Sequence, residues 1–449
     1  MTSRKKYAIC GLSNRGVAAF LLPMLGRGGE GDAMLGYGGD SEDFSDVVDV
    51  VALIDVDLER AAQVNDRIVG EQAIPAYLPE EFDRMVTETA PDVVLVATPD
   101  HTHGEYILRA LAHGLAVISE KPMTSTAAEA RAVLQAEKAS TGSVSVTHNL
   151  RYVARHQQIK ELIISGAIGR VTQLNLDYHV DIRHGASYFL RWNRTRSHSG
   201  GLSLHKSSHH LDLLSWWSGQ RPEQIFAYGA RNFYGAAGAH RPRDADGEFL
   251  TGDALRAADP YYLAQAGSDA FPADARSTRT GMFGLPYGVQ YPAGRDDYLY
   301  DDAIDIEDTY SSVIRYDGGA SALYSVTFSS PWEGYRLGIN GTQGRIEAFV
   351  GRWPDGTERA EQDAILLMPM FAAPVEIPVE SVAGGHGGAD PLMRTDLFRQ
   401  AGERSGRLGL AADSRQAAEA VALGEGMWRS VADNRPYTVS ELLDESELR

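Results

Sequence analysis

Short apolar segments alternate with segments of helical periodicity through the first third of the chain. The apolar segments lie at 7–10, 47–54, 92–98, 115–119 and 143–147. Each is a nearly continuous apolar run, which predicts a strand buried on both faces. Helices are predicted between them at 17–25, 58–69, 80–87, 105–113 and 125–136. The alternation predicts an α/β fold, with a Rossmann-type doubly wound parallel sheet in residues 1–148.

The pattern changes near residue 149, where apolar and polar positions begin to alternate. Alternation of this kind predicts strands with one buried face, as in an antiparallel sheet. Such strands are predicted at 171–180, 224–230, 309–316, 320–327, 335–340 and 345–350. With helices predicted at 151–165 and 417–432, residues 149–449 are predicted to form an α+β domain with a large, mainly antiparallel open sheet.

A connection of unusual length, about 235–305, interrupts the second domain. It is rich in glycine, aspartate, proline and tyrosine. Loops of this length in compact domains are usually functional or disordered, and the recurring aromatic residues favour order. We expect this insertion to act as a lid or to contact another subunit.

Charge and composition exclude several classes of partner. The 449 residues carry a formal net charge of −19, whereas a surface that binds nucleic acid or acidic membranes needs excess positive charge. No apolar run is long enough to cross a bilayer or to form a signal-peptide core. Cys10 is the single cysteine, so disulfides cannot stabilise the fold. We expect a cytoplasmic protein with no nucleic-acid or membrane partner.

A glycine-containing turn lies between the first predicted strand and the first predicted helix. In that context, N–H groups at the start of the helix can bind a pyrophosphate, although an ordinary strand-to-helix turn explains the motif nearly as well. Asp55 ends the second strand, where a carboxylate can accept hydrogen bonds from ribose hydroxyls. No arginine follows it immediately, which favours NAD over NADP. The cofactor-binding candidates in the turn are Gly11, Ser13, Asn14, Arg15 and Gly16.

The carboxyl ends of the later strands supply further polar side chains. In an open parallel sheet, ligands bind beyond those ends. The candidates there for contact with the cofactor are Thr98, Pro99, His101, His103, Glu120, Lys121 and Asn149. Capping of the next helix accounts equally well for the two histidines. Lys121 has no obvious structural role, because it is fixed between a strand and a proline.

The segment 200–217 combines apolar residues with an unusual number of ionisable side chains. As a helix, it places His205, His209 and Asp212 on one stripe, with Lys206 and His210 beside it. Leucine and tryptophan cover much of the remainder, so the helix is predicted to be largely buried. Buried ionisable groups need partners or a ligand, which predicts a polar core network or an active site.

Several of these segments together resemble the Gfo/Idh/MocA (glucose–fructose oxidoreductase / inositol dehydrogenase) family of NAD(P)-dependent oxidoreductases. The resemblance covers nearly the whole chain, and Glu120-Lys121-Pro122 is its most specific part. Its other elements are the glycine turn, Ala97-Thr98-Pro99 with His101 and His103, the segment 164–171, Gly200-Gly201 with the following helix, and Gly341-Thr342-Gln343-Gly344. It implies a small-molecule sugar or glycoside substrate and a homo-oligomer, either dimer or tetramer.

The resemblance also implies catalytic residues, with one departure. The family has Asp-x-x-x-His on the helix after the two glycines; here His209 matches the histidine, and His205 replaces the aspartate. A histidine can take the hydroxyl proton while hydride moves to the nicotinamide, and Lys121 can lower the pKa of that hydroxyl. The predicted catalytic residues are Lys121, His209 and His205, the last as an orienting group or a second hydroxyl contact. Asp212 is interpreted as a structural partner.

An excess of positive charge precedes this segment. Residues 183–198 carry four arginines and no acid, which fits a sulfonate, phosphate or carboxylate on the substrate. Pairing with acids elsewhere in the chain, or contact with the cofactor, accounts for the same excess. The predicted substrate contacts are Lys121, Tyr178, Arg191, Trp192, Arg194, Lys206, His209 and His210.

Two reactions fit these residues. One is NAD-dependent oxidation of a ring secondary alcohol. The other is glycoside hydrolysis with retained NAD, in which transient oxidation at C3 acidifies the C2 proton and allows elimination; some relatives of the family work in this way. The extra base could be a surplus histidine or lysine, Tyr178 or Tyr188. A zinc site on His205 and His209 lacks the glutamate of His-Glu-x-x-His, so no metal is expected, and a non-enzymatic NAD sensor would not need Lys121.

Overall fold

Two β-sheets form the frame of the protein. The computed structural model describes residues 4–30, 42–70, 72–259, 287–291, 297–353, 357, 364–379 and 385–444. In chain order the strands are β1 (Lys5–Cys10), β2 (Val48–Ile54), β3 (Ala76–Tyr77), β4 (Val93–Val96), β5 (Ala116–Ser119), β6 (Val144–Val146), β7 (Val171–Asp181), β8 (Pro222–Ala230), β9 (Thr309–Tyr316), β10 (Ser321–Ser330), β11 (Glu333–Gly341), β12 (Gly344–Arg352), β13 (Ala364–Pro369), β14 (Val375–Pro378), β15 (Ala412–Asp413) and β16 (Tyr437–Thr438).

Helices cover both faces of the first sheet and one side of the second. Those before residue 200 are Arg15–Leu21, Leu22–Met24, Leu58–Val64, Asn65–Val69, Pro79–Glu81, Phe82–Thr89, Asp100–Ala112, Ala127–Ala139, Asn149–Tyr152, Ala154–Ile164, Ile182–Phe189, Trp192–Arg194 and Arg196–Ser199. Those after it are Leu202–His205, Ser208–Ser218, Gly252–Ala258, Gly385–Phe398, Glu403–Leu408, Ser414–Asp433 and Val439–Leu443.

The first sheet has seven strands in the order β15-β6-β5-β4-β1-β2-β3. Strands β1 to β6 are parallel, and most of their residues are buried, because helices pack on both faces. This confirms the predicted doubly wound parallel sheet. Strand β15 adds an antiparallel edge from the C-terminal part of the chain. Two residues are too short for a periodic pattern, and the sequence did not indicate it.

The second sheet has nine strands in the order β14-β13-β12-β11-β7-β10-β9-β8-β16 and is mainly antiparallel, as predicted. Strand β7 departs from the prediction: it is antiparallel to β11 but parallel to β10. Alternating polarity reports which face of a strand is buried, not the direction of its neighbour. A groove of about 750 Å³ lies on this sheet between β7, β10, β11 and β12.

The long helix Ser414–Asp433 joins the two halves of the fold. It packs against β8, helix Ala127–Ala139 and the two helices of segment 200–217. Gly424 permits a close approach to helix Leu202–His205, since a Cβ at this position would lie 2.7 Å from the carbonyl oxygen of Ser203. In the described part of the chain, no helix is both long and apolar enough to cross a membrane.

Candidate active site

The segment 200–217 forms two helices rather than the one predicted. Helix Leu202–His205 ends before Lys206, and helix Ser208–Ser218 follows it. Ser207 explains the break: its Oγ donates to the carbonyl of Leu202 at 3.1 Å and accepts from the Tyr324 hydroxyl at 2.9 Å. A side chain that bonds to a backbone carbonyl in this way competes with the helical ladder. The break lets His205 and His209 meet different neighbours.

Lys121 extends from the carboxyl end of β5 to this break. Its Nζ donates to the carbonyl oxygen of His205 at 3.1 Å. Burial lowers the pKa of Lys121 to about 8, although the carboxylates of Asp100 and Glu120 oppose the shift. At pH 7 the ammonium is therefore still mostly charged, and it can stabilise negative charge on a bound hydroxyl oxygen.

His205 is held by a carboxylate that the sequence did not single out. Asp100, in the first turn of helix Asp100–Ala112, has Oδ2 2.5 Å from Nδ1 of His205, and Asn193 Nδ2 lies 3.1 Å from Nε2. We assign the Nδ1 proton to the bond with the carboxylate, which leaves Nε2 as an acceptor. Burial lowers the pKa of His205, and Asp100 opposes that shift. The helix was predicted to begin at 105, so Asp100 was not among the predicted site residues.

His209 lies beside a second buried imidazole. Its ring is 6.3 Å from that of His148, which follows β6. Burial, with Lys121 and Lys206, lowers the pKa of His209 well below 6.5, and burial lowers that of His148 to about 4. Both rings are therefore neutral at pH 7, as a proton acceptor must be. No group of three or more histidine, cysteine, aspartate or glutamate side chains within the described ranges is placed to hold a metal ion.

Asp212 belongs to a buried ion pair. Its carboxylate accepts Nε of Arg151 at 2.8 Å and Nη2 at 2.5 Å, and both side chains are 2% exposed. The remaining arginine nitrogen donates to the carbonyl of Gly409 and to Gln416. Every nitrogen of this guanidinium is thus hydrogen-bonded, so Asp212 is a structural partner of Arg151, as the sequence interpretation had it.

A second carboxylate–histidine pair joins His184 on helix Ile182–Phe189 to Glu333 at the start of β11. His184 Nδ1 is 2.9 Å from Oε1 of Glu333, and its Nε2 is 2.8 Å from the hydroxyl of Tyr188. Burial opposes ionisation of Glu333, but the bond to His184 and the charge of Lys206 hold its pKa at about 2. The Tyr188 ring is edge-on to His205, with centroids 5.5 Å apart. The two histidine–carboxylate pairs therefore meet at Tyr188.

Three predicted substrate contacts form a stack beside these pairs. The Lys206 ammonium lies 5.7 Å from the centre of the Tyr178 ring, and that ring stacks on His210 at 3.8 Å. His210 is fully buried, and its Nδ1 bonds to the Tyr324 hydroxyl at 2.7 Å. The prediction that His210 contacts substrate is therefore wrong: it supports the Tyr178 ring from inside the core.

The arginines of segment 183–198 are partly neutralised by acids elsewhere in the chain. Arg194 is 2% exposed and pairs with Asp297 at 3.2 Å and Asp301 at 2.6 Å, so the prediction that it contacts substrate is wrong. Arg196 pairs with Glu307.

Arg191 differs from these two arginines. Its guanidinium bonds to the backbone and side-chain oxygens of Ser187, and it forms no ion pair with any residue that the structure describes. Trp192, which follows, presents its ring edge-on to His205 at 5.5 Å. Arg191 and Trp192 thus lie on the side of the segment that faces the histidines.

The glycine turn after β1 packs tightly against β4. Gly11 has a φ of +92°, and a Cβ there would lie 2.6 Å from the Ala97 carbonyl oxygen, so only glycine fits. The Ser13 hydroxyl donates to that same carbonyl and accepts the N–H of Gly16. The Ser13 N–H bonds to no described residue. A free N–H beside the start of helix Arg15–Leu21 fits a pyrophosphate oxygen.

Asp55 lies at the end of β2, beside this turn. Its two oxygens accept the N–H groups of Leu12 at 2.7 Å and Asp57 at 3.0 Å, and burial raises its pKa. Arg60 supports the same loop by donating to the carbonyl of Leu12. The glycine turn and Asp55 together fit the phosphate and ribose of a dinucleotide.

Three other predicted cofactor contacts are bound to the protein itself. Arg15 bridges Glu120 at 2.8 Å and Asp390 at 2.7 Å, and Asn149 donates to Asp390 at 3.0 Å. Asp390 belongs to helix Gly385–Phe398, far along the chain, and no local pattern could have indicated it. The network fixes the strand ends beneath the dinucleotide site.

The histidines after β4 have different environments. Both ring nitrogens of His103 lie 2.8 Å from carbonyl oxygens, those of Pro122 and Thr98, and the side chain is buried. The prediction that His103 contacts the cofactor is therefore wrong, because neither nitrogen is free. His101 is only partly buried, and its ring lies edge-on to that of His198. Pro99 precedes helix Asp100–Ala112 as its N-cap residue.

Residues 287–291 of the insertion lie across the glycine turn. The Tyr287 hydroxyl accepts the N–H of Asn14 and donates to its side-chain oxygen, both at 2.8 Å, and the Arg60 guanidinium lies 4.0 Å from its ring centre. The Tyr291 hydroxyl lies 3.5 Å from the N–H of Trp192. This part of the insertion contacts both the glycine turn and Trp192, whose ring lies against His205. The predicted lid stays a prediction, since 260–286 and 292–296 lie outside the described residues.

The fold and the glycine turn are together those of an oxidoreductase class in which an NAD-binding parallel sheet is followed by a second, mainly antiparallel sheet. Residues 6–148 match the NAD-binding Rossmann fold of the GFO_IDH_MocA oxidoreductase family, and residues 160–439 match the C-terminal alpha/beta domain of the same family. The chain belongs to this family, which confirms the resemblance drawn from its motifs.

Individual relatives agree with this assignment. YteT of Bacillus subtilis (strain 168), an oxidoreductase by name, is 40% identical over 444 residues, 98% of each chain. An inositol 2-dehydrogenase of Rubrobacter xylanophilus is 26% identical over 186 residues, 40% of this chain and 48% of that one. Levoglucosan dehydrogenase, solved with NADH and levoglucosan, shares the fold at a TM-score of 0.63 and 16% identity, covering 97% of this chain and 100% of that one.

Proposed function

We propose that the protein transfers hydride between NAD and a ring secondary alcohol of a sugar or glycoside. The observation that carries the proposal is the meeting of Lys121, His205 and His209 at the carboxyl edge of the NAD-binding sheet. An ammonium that is charged at pH 7 lies there beside imidazoles that are neutral. Alcohol oxidation needs both, one to stabilise the oxyanion and one to accept the proton.

In this proposal each side chain has one task. His209 takes the hydroxyl proton on Nε2, because neither ring nitrogen bonds to a described residue and Nδ1 is buried. Lys121 holds the developing oxyanion. His205, fixed by Asp100, orients a neighbouring hydroxyl. Bound NAD supplies the hydride acceptor.

The names of the relatives support a substrate of the sugar or polyol type. Inositol 2-dehydrogenase and levoglucosan dehydrogenase carry polyol and anhydrosugar substrates in their names. For an anionic substituent, we propose Arg191 and Lys206 as the contacts, since Arg194 and Arg196 are neutralised by acids. Comparing kcat/KM for matched neutral and sulfonated, phosphorylated or carboxylated glycosides tests this: a clear preference for the anion supports it, and a preference for the neutral sugar refutes it.

A panel of glycosides incubated with NAD tests the function itself. NADH and released aglycone are followed together, with the wild type and with Lys121→Ala and His209→Ala. We expect NADH from at least one sugar, and no turnover in either variant, with NAD binding retained. Full activity in either variant would refute its role.

A second candidate function is glycoside hydrolysis with retained NAD. The Tyr188–His184–Glu333 group favours it, because simple alcohol oxidation needs only one proton acceptor whereas oxidation followed by elimination needs two. In the panel, aglycone release without net NADH identifies this reaction. Accumulating NADH without aglycone excludes it.

We also propose that the chain forms a homo-oligomer through the open face of its second sheet, with residues 1–148 and 149–449 as its two domains. Val313 on β9 and Leu323 on β10 are about half exposed on that face. Light scattering on the purified protein tests the assembly, and a monomer at all concentrations would contradict it.

A further inference from the structure

We propose that Tyr188, His184 and Glu333 form a second proton-transfer relay, separate from Lys121 and His209. It removes a proton from the ring carbon next to the carbon that is oxidised. The inference rests on the proposed oxidation and adds the substrate class: a sugar ring that carries a departing oxygen substituent beside that acidified carbon.

The relay is built as a unit by the local fold. His184 and Tyr188 are four residues apart on one helix, so their side chains lie on the same face. Asp181 fixes the start of that helix by accepting the N–H groups of Arg183 and His184, and its own N–H donates to Glu333 at 2.8 Å. Glu333 thus receives one bond from the backbone and one from His184. Neither ring nor carboxylate can turn away without losing a bond.

A similar pair elsewhere in the chain shows what a structural tyrosine–histidine contact looks like. The Tyr335 hydroxyl lies 2.8 Å from Nε2 of His156, and Nδ1 of that ring lies 2.7 Å from the carbonyl of Leu150. A carbonyl satisfies the ring and bears no net charge. In the relay, a buried carboxylate takes the place of the carbonyl. A buried carboxylate costs free energy that a purely structural contact does not need, and it stabilises an imidazolium.

The charges around His184 keep it ready to accept a proton. Burial and the nearby Lys206 lower the pKa of His184, whereas Glu333 and Asp181 raise it. The imidazole is therefore neutral at pH 7, with its Nδ1 proton on the Glu333 bond and Nε2 free to accept from the phenol. Burial raises the pKa of Tyr188, so the phenol keeps its proton until His184 takes it.

The step balances without any further reactant. Oxidation of the neighbouring alcohol to a ketone, as proposed above, acidifies the ring C–H bond. The Tyr188 oxygen takes that proton while its own proton moves to Nε2 of His184, and Glu333 stabilises the imidazolium. The electron pair of the C–H bond forms a carbon–carbon double bond as the bond to the departing oxygen breaks. The relay then returns its proton to that oxygen, which leaves as an alcohol beside an unsaturated ketone.

The experiment separates the two proton transfers. NAD-loaded wild type, Tyr188→Phe, Glu333→Gln and the matched control Tyr335→Phe react with aryl glycosides in D2O. NADH absorbance in a single turnover reports oxidation, deuterium in the recovered sugar ring reports breaking of the C–H bond, and thermal melting reports folding. We expect Tyr188→Phe to form NADH at a near wild-type rate, with ring deuteration and aglycone release at least about 100-fold slower. In Glu333→Gln, ring deuteration and aglycone release should slow by a smaller factor. In Tyr335→Phe, neither rate should change.

Each outcome decides one claim. Wild-type deuteration in Tyr188→Phe would overturn the relay, as would NADH formation by the wild type with no ring deuteration. If Tyr335→Phe lost as much deuteration as Tyr188→Phe, the effect would come from altered packing and not from a relay. Absence of NADH in the wild type with every sugar would instead refute the proposed oxidation and, with it, the relay.

Discussion

Two groups of buried polar side chains lie next to each other along helix Ser208–Ser218, with His148 Nδ1 3.8 Å from Oδ2 of Asp212. In one, Arg151 and Asp212 bond to each other twice, and the remaining arginine nitrogen bonds to Gly409 and Gln416. In the other, Lys121 makes one hydrogen bond to a carbonyl, and the His209 and His148 rings have buried nitrogens with no hydrogen-bond partner in the described structure.

The difference indicates how to separate structure from chemistry in a buried polar cluster. A fully bonded ion pair can repay its desolvation and has nothing left to offer a ligand. A cluster whose nitrogens have no hydrogen-bond partner and whose pKa values are lowered can still bind a ligand, because a substrate can supply the missing hydrogen bonds. The Arg151–Asp212 pair should therefore control stability, and the group of Lys121, His209 and His148 should control turnover.

Lys121→Met should have the largest effect on turnover. We expect turnover to disappear and the melting temperature at pH 7 to rise. The pKa of Lys121 is lowered from 10.5 to about 8 on folding, so the unfolded chain holds the proton more tightly, and burying the ammonium opposes folding below pH 8. The gain should shrink as the pH rises from 8 towards 10.5.

Lys160→Met is the matched control, since burial also lowers the pKa of Lys160 to about 8. Its Nζ donates to the carbonyl of Trp216, about two helical turns beyond His209. Calorimetry and turnover of both variants check the prediction. Loss of turnover in both, or in neither, would remove the distinction between the two groups.

Asp212→Asn should show the opposite behaviour. Leaving Arg151 buried without its counter-charge should lower the free energy of unfolding by about 3–5 kcal/mol. Below the melting transition, KM should be unchanged and kcat should fall by no more than a few fold. Denaturant unfolding measures the first and steady-state kinetics the second; a fully stable but inactive variant would contradict the assignment.

Asp100→Asn should reduce turnover by about 100-fold, with the fold intact. Removing the carboxylate also removes the group that raises the pKa of His205, so that pKa should fall further. If His205 titrates in turnover, the acid limb of the kcat–pH profile moves to lower pH. An unchanged profile with full activity would show that the contact between Asp100 and His205 is only structural.

Tyr287→Phe should have the smallest effect. Its hydroxyl accepts a hydrogen bond from the N–H of Asn14, in the glycine turn that fits the pyrophosphate. Removing one competing hydrogen bond of about 1 kcal/mol should tighten NAD binding by about five-fold. Titration calorimetry measures the change. Weaker binding would mean that the phenol holds the cofactor instead of competing with it.

The sequence predicted those features that have local patterns. Apolar runs gave the parallel sheet, alternation gave the second sheet, and Glu120-Lys121-Pro122 with His209 indicated the site. It missed Asp100, Glu333 and Asp390, because each meets its partner only through the tertiary fold. Arg194 and His103 were misassigned for the same reason. In the structure Asp301 pairs with Arg194, and two carbonyl oxygens contact the ring nitrogens of His103. A cluster of polar residues in the sequence indicates a site, but their tertiary contacts determine which side chains remain able to bind a ligand.

The most direct test of the account follows the hydrogen on the sugar ring. NAD-loaded protein is mixed with glycosides deuterated on every ring carbon, the reaction is quenched within the first turnover while the cofactor is reduced, and the cofactor is examined by mass spectrometry. The proposed hydride transfer predicts deuterium on the cofactor in the wild type and none in Lys121→Met. Sugar conversion by the wild type with no deuterium on the cofactor would contradict it.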